Sequence, residues 1–130
     1  MSIFVLDRSA IVAVIRRELG AEKVLPHLYG GLVSVETIAD LLSEAARHGS
    51  CIQTALERLK QLQLEIVPFS ETHAVLLAEL SSLAEKIGIT RSDLAVLSLA
   101  AERKATILTA NEALSKVKCG AKIRLFRKAR

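Results

Sequence analysis

Short, nearly continuous apolar runs alternate with longer amphipathic segments along the chain. The runs are rich in β-branched residues and are Ile3–Leu6, Gly31–Val35, Leu64–Phe69, Ala105–Thr109 and Ala121–Phe126. Because successive positions are apolar, the pattern predicts strands that are buried on both faces of a parallel sheet.

The segments between these runs have helical periodicity, and they are 9–19, 21–29, 36–48, 51–63, 71–87, 91–104 and a short 112–117. Ser70 and Thr90 are typical helix starts, and Gly49 and Gly88 are typical helix ends. The order β-α-α-β-α-α-β-α-α-β-α-β predicts a three-layer α/β/α fold. Its central, mainly parallel sheet would have four to five strands. We expect residues 1–130 to form a single domain.

The composition excludes several classes of protein. With 51% hydrophobic and 25% charged residues among 130, the chain is neither disordered nor fibrous. Its four aromatic residues are too few for base-stacking platforms. Cys51 and Cys119 predict reduced thiols rather than a disulfide framework or a zinc site. No signal peptide or membrane-length apolar run is found, so we expect a soluble cytoplasmic protein.

The net charge of +4 is unevenly distributed. From Lys116 onward there are seven basic residues and no acidic one, and this basic tail comprises Lys116, Lys118, Lys122, Arg124, Arg127, Lys128 and Arg130. The preceding 115 residues hold the other 11 basic residues and all 14 acidic ones, a net charge of −3. The tail can contact nucleic-acid phosphates or can simply be solvated.

Four oxygen-bearing side chains follow the predicted strands. Asp7 closes the first strand, Asp40 lies in the helix after the second, Asp93 is in the first turn of the helix after Thr90, and Asn111 follows the fourth strand. Since ligands bind at the carboxyl ends of parallel strands, these side chains can meet at one edge. Hard oxygen ligands favour Mg²⁺ or Mn²⁺, which suit phosphodiester hydrolysis.

Each of these residues also has a structural interpretation. Asp7 and Asn111 can cap helices, and Asp93 can interact favourably with a helix dipole. Asp40 shares a stripe with Glu36 and Glu44 that is typical of a solvated helix face. The spacing alone therefore makes a metal site plausible and no more.

Five segments together resemble the PIN-domain ribonucleases, specifically the VapC-like toxins of toxin–antitoxin pairs. They are Val5–Ala10, Ser34–Asp40, Ile66–Ser70, Gly88–Ala95 and Ala105–Asn111. The first is similar to the opening strand, acidic residue and small hydroxyl residue of the family. The fourth is the most specific, and the order and spacing of all five cover nearly the whole chain.

The resemblance implies a PIN-like fold and metal-dependent endonucleolytic cleavage of RNA. Asp7, Asp40 and Asp93 would hold Mg²⁺ or Mn²⁺, and Asn111 would complete the catalytic set. Ser9 and Thr109 match positions whose hydroxyls support the site. The family commonly forms homodimers and is inhibited by a cognate antitoxin protein.

Three positions depart from the family pattern. Arg8 stands where a small residue is usual, and it can contact RNA phosphate or pair with Asp7. Asp40 is shorter than the usual glutamate, and Asn111 is neutral where many relatives have aspartate, although Glu112 can compensate. These departures leave open a catalytically weak or silent domain that binds RNA or protein, and a DNA nuclease is a third hypothesis.

The remaining features predict structural roles. His27, His48 and His73 have no ligand spacing, so we expect surface or packing positions for them. The leucines of segment 51–63 and the apolar run Val75–Leu83 are typical of core or dimer surface.

Overall fold

In the computed structural model, which describes residues 2–128, five strands form one sheet with the order β3-β2-β1-β4-β5. The strands are β1 (Phe4–Leu6), β2 (Leu32–Ser34), β3 (Glu65–Val67), β4 (Thr106–Thr109) and β5 (Lys122–Leu125). Every neighbouring pair is parallel, so the predicted mainly parallel sheet is confirmed and is wholly parallel.

Six α-helices connect the strands: α1 (Arg8–Arg16), α2 (Ala21–Val24), α3 (Val35–Arg47), α4 (Ile52–Lys60), α5 (Glu71–Ile87) and α6 (Arg91–Arg103). Two 3-10 turns, Leu25–His27 and Glu112–Lys116, complete the described elements. Within residues 2–128, no helix has the length and apolarity needed to cross a bilayer.

Alternate residues of the central strands enter two separate cores, one on each face of the sheet. Val5, Leu32 and Ile107 join the cluster beneath α5 and α6. Leu6, Val33 and Leu108 join the cluster beneath α1 to α4. Because helices cover both faces, the strands are continuously apolar, and the three-layer α/β/α fold class is confirmed.

Several element boundaries differ from the sequence prediction for local reasons. The predicted helix 9–19 ends at Arg16, because Arg17 adopts a left-handed conformation with φ 54°. The predicted helix 21–29 is divided at Pro26, which has no N–H to continue an α-helical ladder. Ser34 ends the second strand early because it caps α3. The predicted third strand is shorter on both sides and ends before Pro68.

The last described residues are part of the folded core. Phe126 is 1% exposed and belongs to the cluster beneath α1 to α4. It packs against Gly20, where a Cβ would lie only 2.7 Å from the Phe126 carbonyl oxygen. Arg127 then pairs with Glu18 at 3.1 Å. Most of the basic tail is therefore built into the fold; Arg130 lies outside the described residues.

Candidate active site

A cleft of about 490 Å³ lies at the carboxyl ends of β1 and β4. The chain leaves β1 toward β2 on one side, while β4 pairs with β1 on the other, so this is the point where the strand order reverses. Open parallel sheets bind ligands at such points. The cleft is lined by Asp7, Arg8, Ser9, Thr37, Asp40, Thr90, Arg91, Ser92, Asp93, Val96 and Asn111.

Asp7 is held rigidly at the base of this cleft. It follows β1 and is the N-cap of α1, where its Oδ1 accepts the Ala10 N–H at 3.0 Å. Its side chain is almost completely buried, with 4% exposed. Asp7 therefore caps α1, as its structural interpretation predicted, and the same carboxylate also lines the cleft.

Two hydroxyl groups connect Asp7 to the end of β4. Ser9 Oγ donates to Asp7 Oδ1 at 2.6 Å and accepts the Ala110 N–H at 2.9 Å. Thr109 Oγ1 donates to Asp7 Oδ2 and accepts the Asn111 N–H. Both hydroxyls thus contact the carboxylate while binding the backbone that follows β4.

Burial raises the pKa of the Asp7 carboxyl above its ordinary value. The hydrogen bonds from Ser9, Thr109 and Ala10 oppose this rise, and the negative charge of Asp93 adds to it. A positive charge bound next to Asp7 would therefore stabilise the ionised form of this carboxylate.

Asp93 lies in the first turn of α6 and forms a reciprocal capping box with Thr90. Its Oδ2 accepts the Thr90 N–H at 3.0 Å, and its own N–H donates to Thr90 Oγ1 at 3.1 Å. Asp93 therefore stabilises the start of α6, as its structural interpretation predicted. It also lines the cleft, from the side opposite α1.

Asp40 reaches the cleft from α3, and its carboxylate accepts a short hydrogen bond from Ser92 Oγ at the start of α6. It is half-buried, as are Glu36 and Glu44 on the same stripe. The bond to another element means that the stripe is more than a solvated helix face.

Asn111 lines the cleft after β4, and its Oδ1 accepts the Ala113 N–H at 3.0 Å, which caps the following 3-10 turn. Glu112, its predicted substitute, is exposed and does not line the cleft. The structure therefore brings together Asp7, Asp40, Asp93 and Asn111, with Ser9 and Thr109 behind Asp7.

The predicted RNA-contacting residues are divided between the cleft and the surface. Arg8 lines the cleft but pairs with Glu44 of α3 rather than with Asp7, its expected competing partner. Lys116 and Lys118 are exposed at and beyond the end of the 3-10 turn and do not line the cleft.

The chemistry of the donor groups fits a hard divalent cation. The oxygen ligands in the cleft are carboxylate, amide and hydroxyl groups, with no histidine or cysteine among the lining residues. Within residues 2–128, however, no three acidic, histidine or cysteine side chains are close enough to bind one ion together. Because Mg²⁺ often keeps several waters and uses one or two carboxylates, the donor set remains suitable.

Sequence reasoning missed two polar partners of the site. Ser92 binds Asp40, and its position directly before Asp93 in the Gly88–Ala95 segment was the available signal. Glu44 binds Arg8, and its spacing four residues after Asp40 placed it on the same helix face. Neither pairing could be inferred without knowing how α1, α3 and α6 meet.

A second cavity, of about 510 Å³, lies among α1, α3 and α4. Apolar side chains such as Val12, Ile15 and Leu41 line much of it, and Glu44 is its one acidic lining residue. The exposed Cys51 at its edge is a free thiol whose pKa is lowered by hydrogen bonds with Thr54. This cavity lacks the grouped carboxylates, so the cleft is the better candidate for chemistry.

Comparisons with known proteins identify the same architecture. Residues 4–118 match the family model of the PIN domain. No curated protein sequence matches the chain significantly.

Three similar solved structures show the extent of the likeness. VapBC2 of Rickettsia felis, bound to a promoter DNA fragment, is 22% identical with a TM-score of 0.75, covering 95% of this chain and 98% of that one. DNA-bound VapBC of Salmonella typhimurium is 16% identical with a TM-score of 0.76, covering 98% and 100%. A toxin–antitoxin complex from Klebsiella pneumoniae is 13% identical with a TM-score of 0.73, covering 96% and 98%.

Proposed function

This chain belongs to the PIN-domain family, and on that basis we propose that it is a divalent-metal-dependent endoribonuclease that acts as the toxin of a toxin–antitoxin pair. The observation that carries the proposal is the cleft at the strand-order reversal, which Asp7, Asp40, Asp93 and Asn111 line together. The likeness of the chain to VapBC proteins and to a toxin–antitoxin complex supports the toxin assignment.

An acidic cleft repels a polyanion such as RNA unless a cation is present. The proposed RNA substrate therefore requires the proposed divalent cation in the cleft. Asp7, Asp40 and Asp93 would hold Mg²⁺ or Mn²⁺. When bound, the metal lowers the pKa of a water nucleophile and neutralises charge on the phosphate. Asp7 would stay in place because Ser9 and Thr109 fix both of its oxygens.

The protein's own groups would orient the substrate around this centre. Arg8 and Arg91 line the cleft beside the carboxylates and can donate to phosphate oxygens flanking the cleaved bond. Lys116 and Lys118 would add sequence-independent contacts to more distant phosphates. We further propose a cytoplasmic homodimer that a cognate antitoxin protein inhibits.

A cleavage assay tests this function. Purified protein is incubated with structured RNA in Mg²⁺ or Mn²⁺, with and without EDTA. We expect cleavage that EDTA abolishes. The substitutions Asp7→Asn and Asp93→Asn should each lower the rate by more than the ~10–100-fold typical of residues that only orient metal ligands. Both asparagines retain the helix-capping oxygen.

Glu71→Gln is the matched control, because Glu71 is an exposed acid in the first turn of α5 and does not line the cleft. Cleavage that survives EDTA, or that is unchanged in both aspartate variants, would contradict the proposal. Preferential cleavage of single-stranded or structured DNA in a competition assay would instead identify a DNA nuclease.

A second candidate function is a PIN domain that binds RNA or a protein partner without cleaving it. The observation that favours it is the spacing of the aspartates, since no three acidic, histidine or cysteine side chains among residues 2–128 group around one ion. Metal-independent RNA binding without cleavage would identify this function.

A further inference from the structure

Arg8 is a positively charged residue that lines the same cleft as Asp7, Asp40 and Asp93. It is the first residue of α1, directly after Asp7, and its side chain is half-exposed. Its Nη2 donates to Glu44 Oε2. Among the described residues 2–128, Arg8 makes no hydrogen bond to Asp7, Asp40 or Asp93.

A free arginine in this position would compete with a metal ion. Guanidinium and carboxylate groups form paired, charge-assisted hydrogen bonds, which would occupy the oxygens that a cation needs. Since Arg8 and three aspartates line one cleft, something must determine which carboxylate the arginine binds.

Glu44 has the position and the charge to bind Arg8 in place of the aspartates. It lies four residues after Asp40 on α3, so the two side chains share a helix face. Its Oε1 accepts Arg16 Nη2 at 3.1 Å while its Oε2 accepts Arg8. The hydrogen bond from Arg8 is the main reason that the pKa of Glu44 is lowered, so Glu44 stays ionised at neutral pH.

We propose that Glu44 is a positioning residue that holds Arg8 away from the cleft aspartates, which keeps their carboxylates free for a divalent cation. Arginine has five N–H donors, and the pair with Glu44 uses one of them. The others have no hydrogen-bond partner within residues 2–128 and can donate to a substrate phosphate. This inference rests on the proposed metal-dependent function.

Calorimetric titration with Mn²⁺ tests the inference without any activity measurement. The proteins compared are the full-length wild type, Glu44→Gln, Arg8→Gln and the double variant. We expect Glu44→Gln to weaken Mn²⁺ binding about tenfold, a typical effect of losing a residue that orients a metal site. Removing Arg8 as well should restore the affinity to within about threefold of wild type, since no guanidinium is left to occupy the carboxylates.

Glu36→Gln is the matched control for simple loss of negative charge. Glu36 precedes Asp40 by four residues on α3, as Glu44 follows it by four, but it does not line the cleft and forms no ion pair within the described chain. We expect this variant to bind Mn²⁺ like the wild type. Urea unfolding of every variant measures whether the fold is retained.

Four outcomes would overturn the inference. Equal effects of Glu36→Gln and Glu44→Gln would mean that charge alone matters, and a double variant as weak as Glu44→Gln would mean a merely structural role. Binding about tenfold tighter in Arg8→Gln than in wild type would mean that Arg8 already occupies the carboxylates. In these three cases wild-type Mn²⁺ binding leaves the proposed function standing, whereas no binding in any protein overturns both.

Discussion

The carboxylate of Asp7 accepts three hydrogen bonds although its side chain is almost completely buried. The donors are Ser9 and Ala10 of α1 and Thr109 at the end of β4. Burial disfavours the charged form more than these bonds favour it, so the ionised residue opposes folding. A group kept at such a cost is a candidate for function.

Asp7→Asn should therefore raise the melting temperature at neutral pH. A carboxyl whose folded pKa is raised contributes stability below its ordinary pKa of 3.8, and this contribution is lost as the pH rises through the folded value. Asparagine does not ionise, yet its one side-chain oxygen can still cap α1 and accept from Ser9, while its amide N–H can donate to Thr109 Oγ1 at the second position. Scanning calorimetry at several pH values should show the difference from wild type narrowing toward pH 3.8.

Glu36→Gln, which changes a half-buried acid that does not line the cleft, serves as the control. A lower melting temperature of Asp7→Asn at neutral pH would mean that the hydrogen bonds outweigh burial. The expected gain in melting temperature also distinguishes a loss of catalysis from a loss of folding. A variant that is more stable than the wild type but cannot cleave RNA has lost chemistry and not structure.

Single residues also show the limit of sequence reasoning about the site. Asp7, Asp93 and Asn111 each cap a helix or turn and each line the cleft, so local sequence could not separate the two interpretations. Both are true of each residue. Asp7 and Asn111 follow β1 and β4, so the caps they form lie at the carboxyl edge of the sheet, and α6, which follows α5, begins beside the same cleft.

At the scale of helices and strands, the apolar runs and helical periodicity predicted every strand, and the errors lie at the ends. Pro26, Pro68 and the left-handed Arg17 ended elements earlier than periodicity indicated. Periodicity reports which face is buried, whereas a boundary depends on single hydrogen bonds, and so the ends were harder to predict.

His73 joins two helices and provides the clearest test at this scale. Its Nδ1 accepts the Ser70 N–H at the start of α5, and its Nε2 contacts Glu102 of α6 at 2.7 Å. Because the ring is buried, His73→Ala should lower the free energy of unfolding by about 2 kcal/mol through loss of both bonds. Urea unfolding measures this change.

His48→Ala is the matched control, since His48 is exposed at the end of α3 and should change stability by less than about 0.5 kcal/mol. Glu102→Gln should cost less than His73→Ala, because the amide oxygen can still accept from the imidazole. Equal losses for the two histidines would contradict the structural role of His73.

At the scale of the whole molecule, net charge is a poor guide to the binding surface. The described part of the basic tail continues into β5, the buried Phe126 and the ion pair of Arg127 with Glu18. Truncation after Val117, a direct test of the tail, would remove an edge strand and a core side chain. Substitution of exposed lysines is the cleaner experiment.

Lys116→Gln combined with Lys118→Gln should weaken RNA binding and reduce its salt dependence. If both lysines contact phosphate, the slope of log affinity against log salt should fall by about 1.4 for single-stranded RNA. Fluorescence anisotropy over a range of salt concentrations measures this slope. Metal dependence should be unchanged, because neither lysine lines the cleft.

The double substitution of Lys23 and Lys60 by Gln removes the same charge from two other exposed positions that do not line the cleft. An equal change of slope in this control would show that overall charge, rather than the tail, attracts RNA.

The pairing of β1 with β4 has a consequence for protein synthesis. Phe4 lies opposite Thr106 in the centre of the sheet, so β1 leaves the ribosome about a hundred residues before the strand with which it pairs. Contacts of such high sequence separation form late. Phe126, the largest fully buried side chain, arrives later still. A nascent chain therefore carries Asp7 and Asp40 without the geometry that makes them a cleft until β4 has been synthesised.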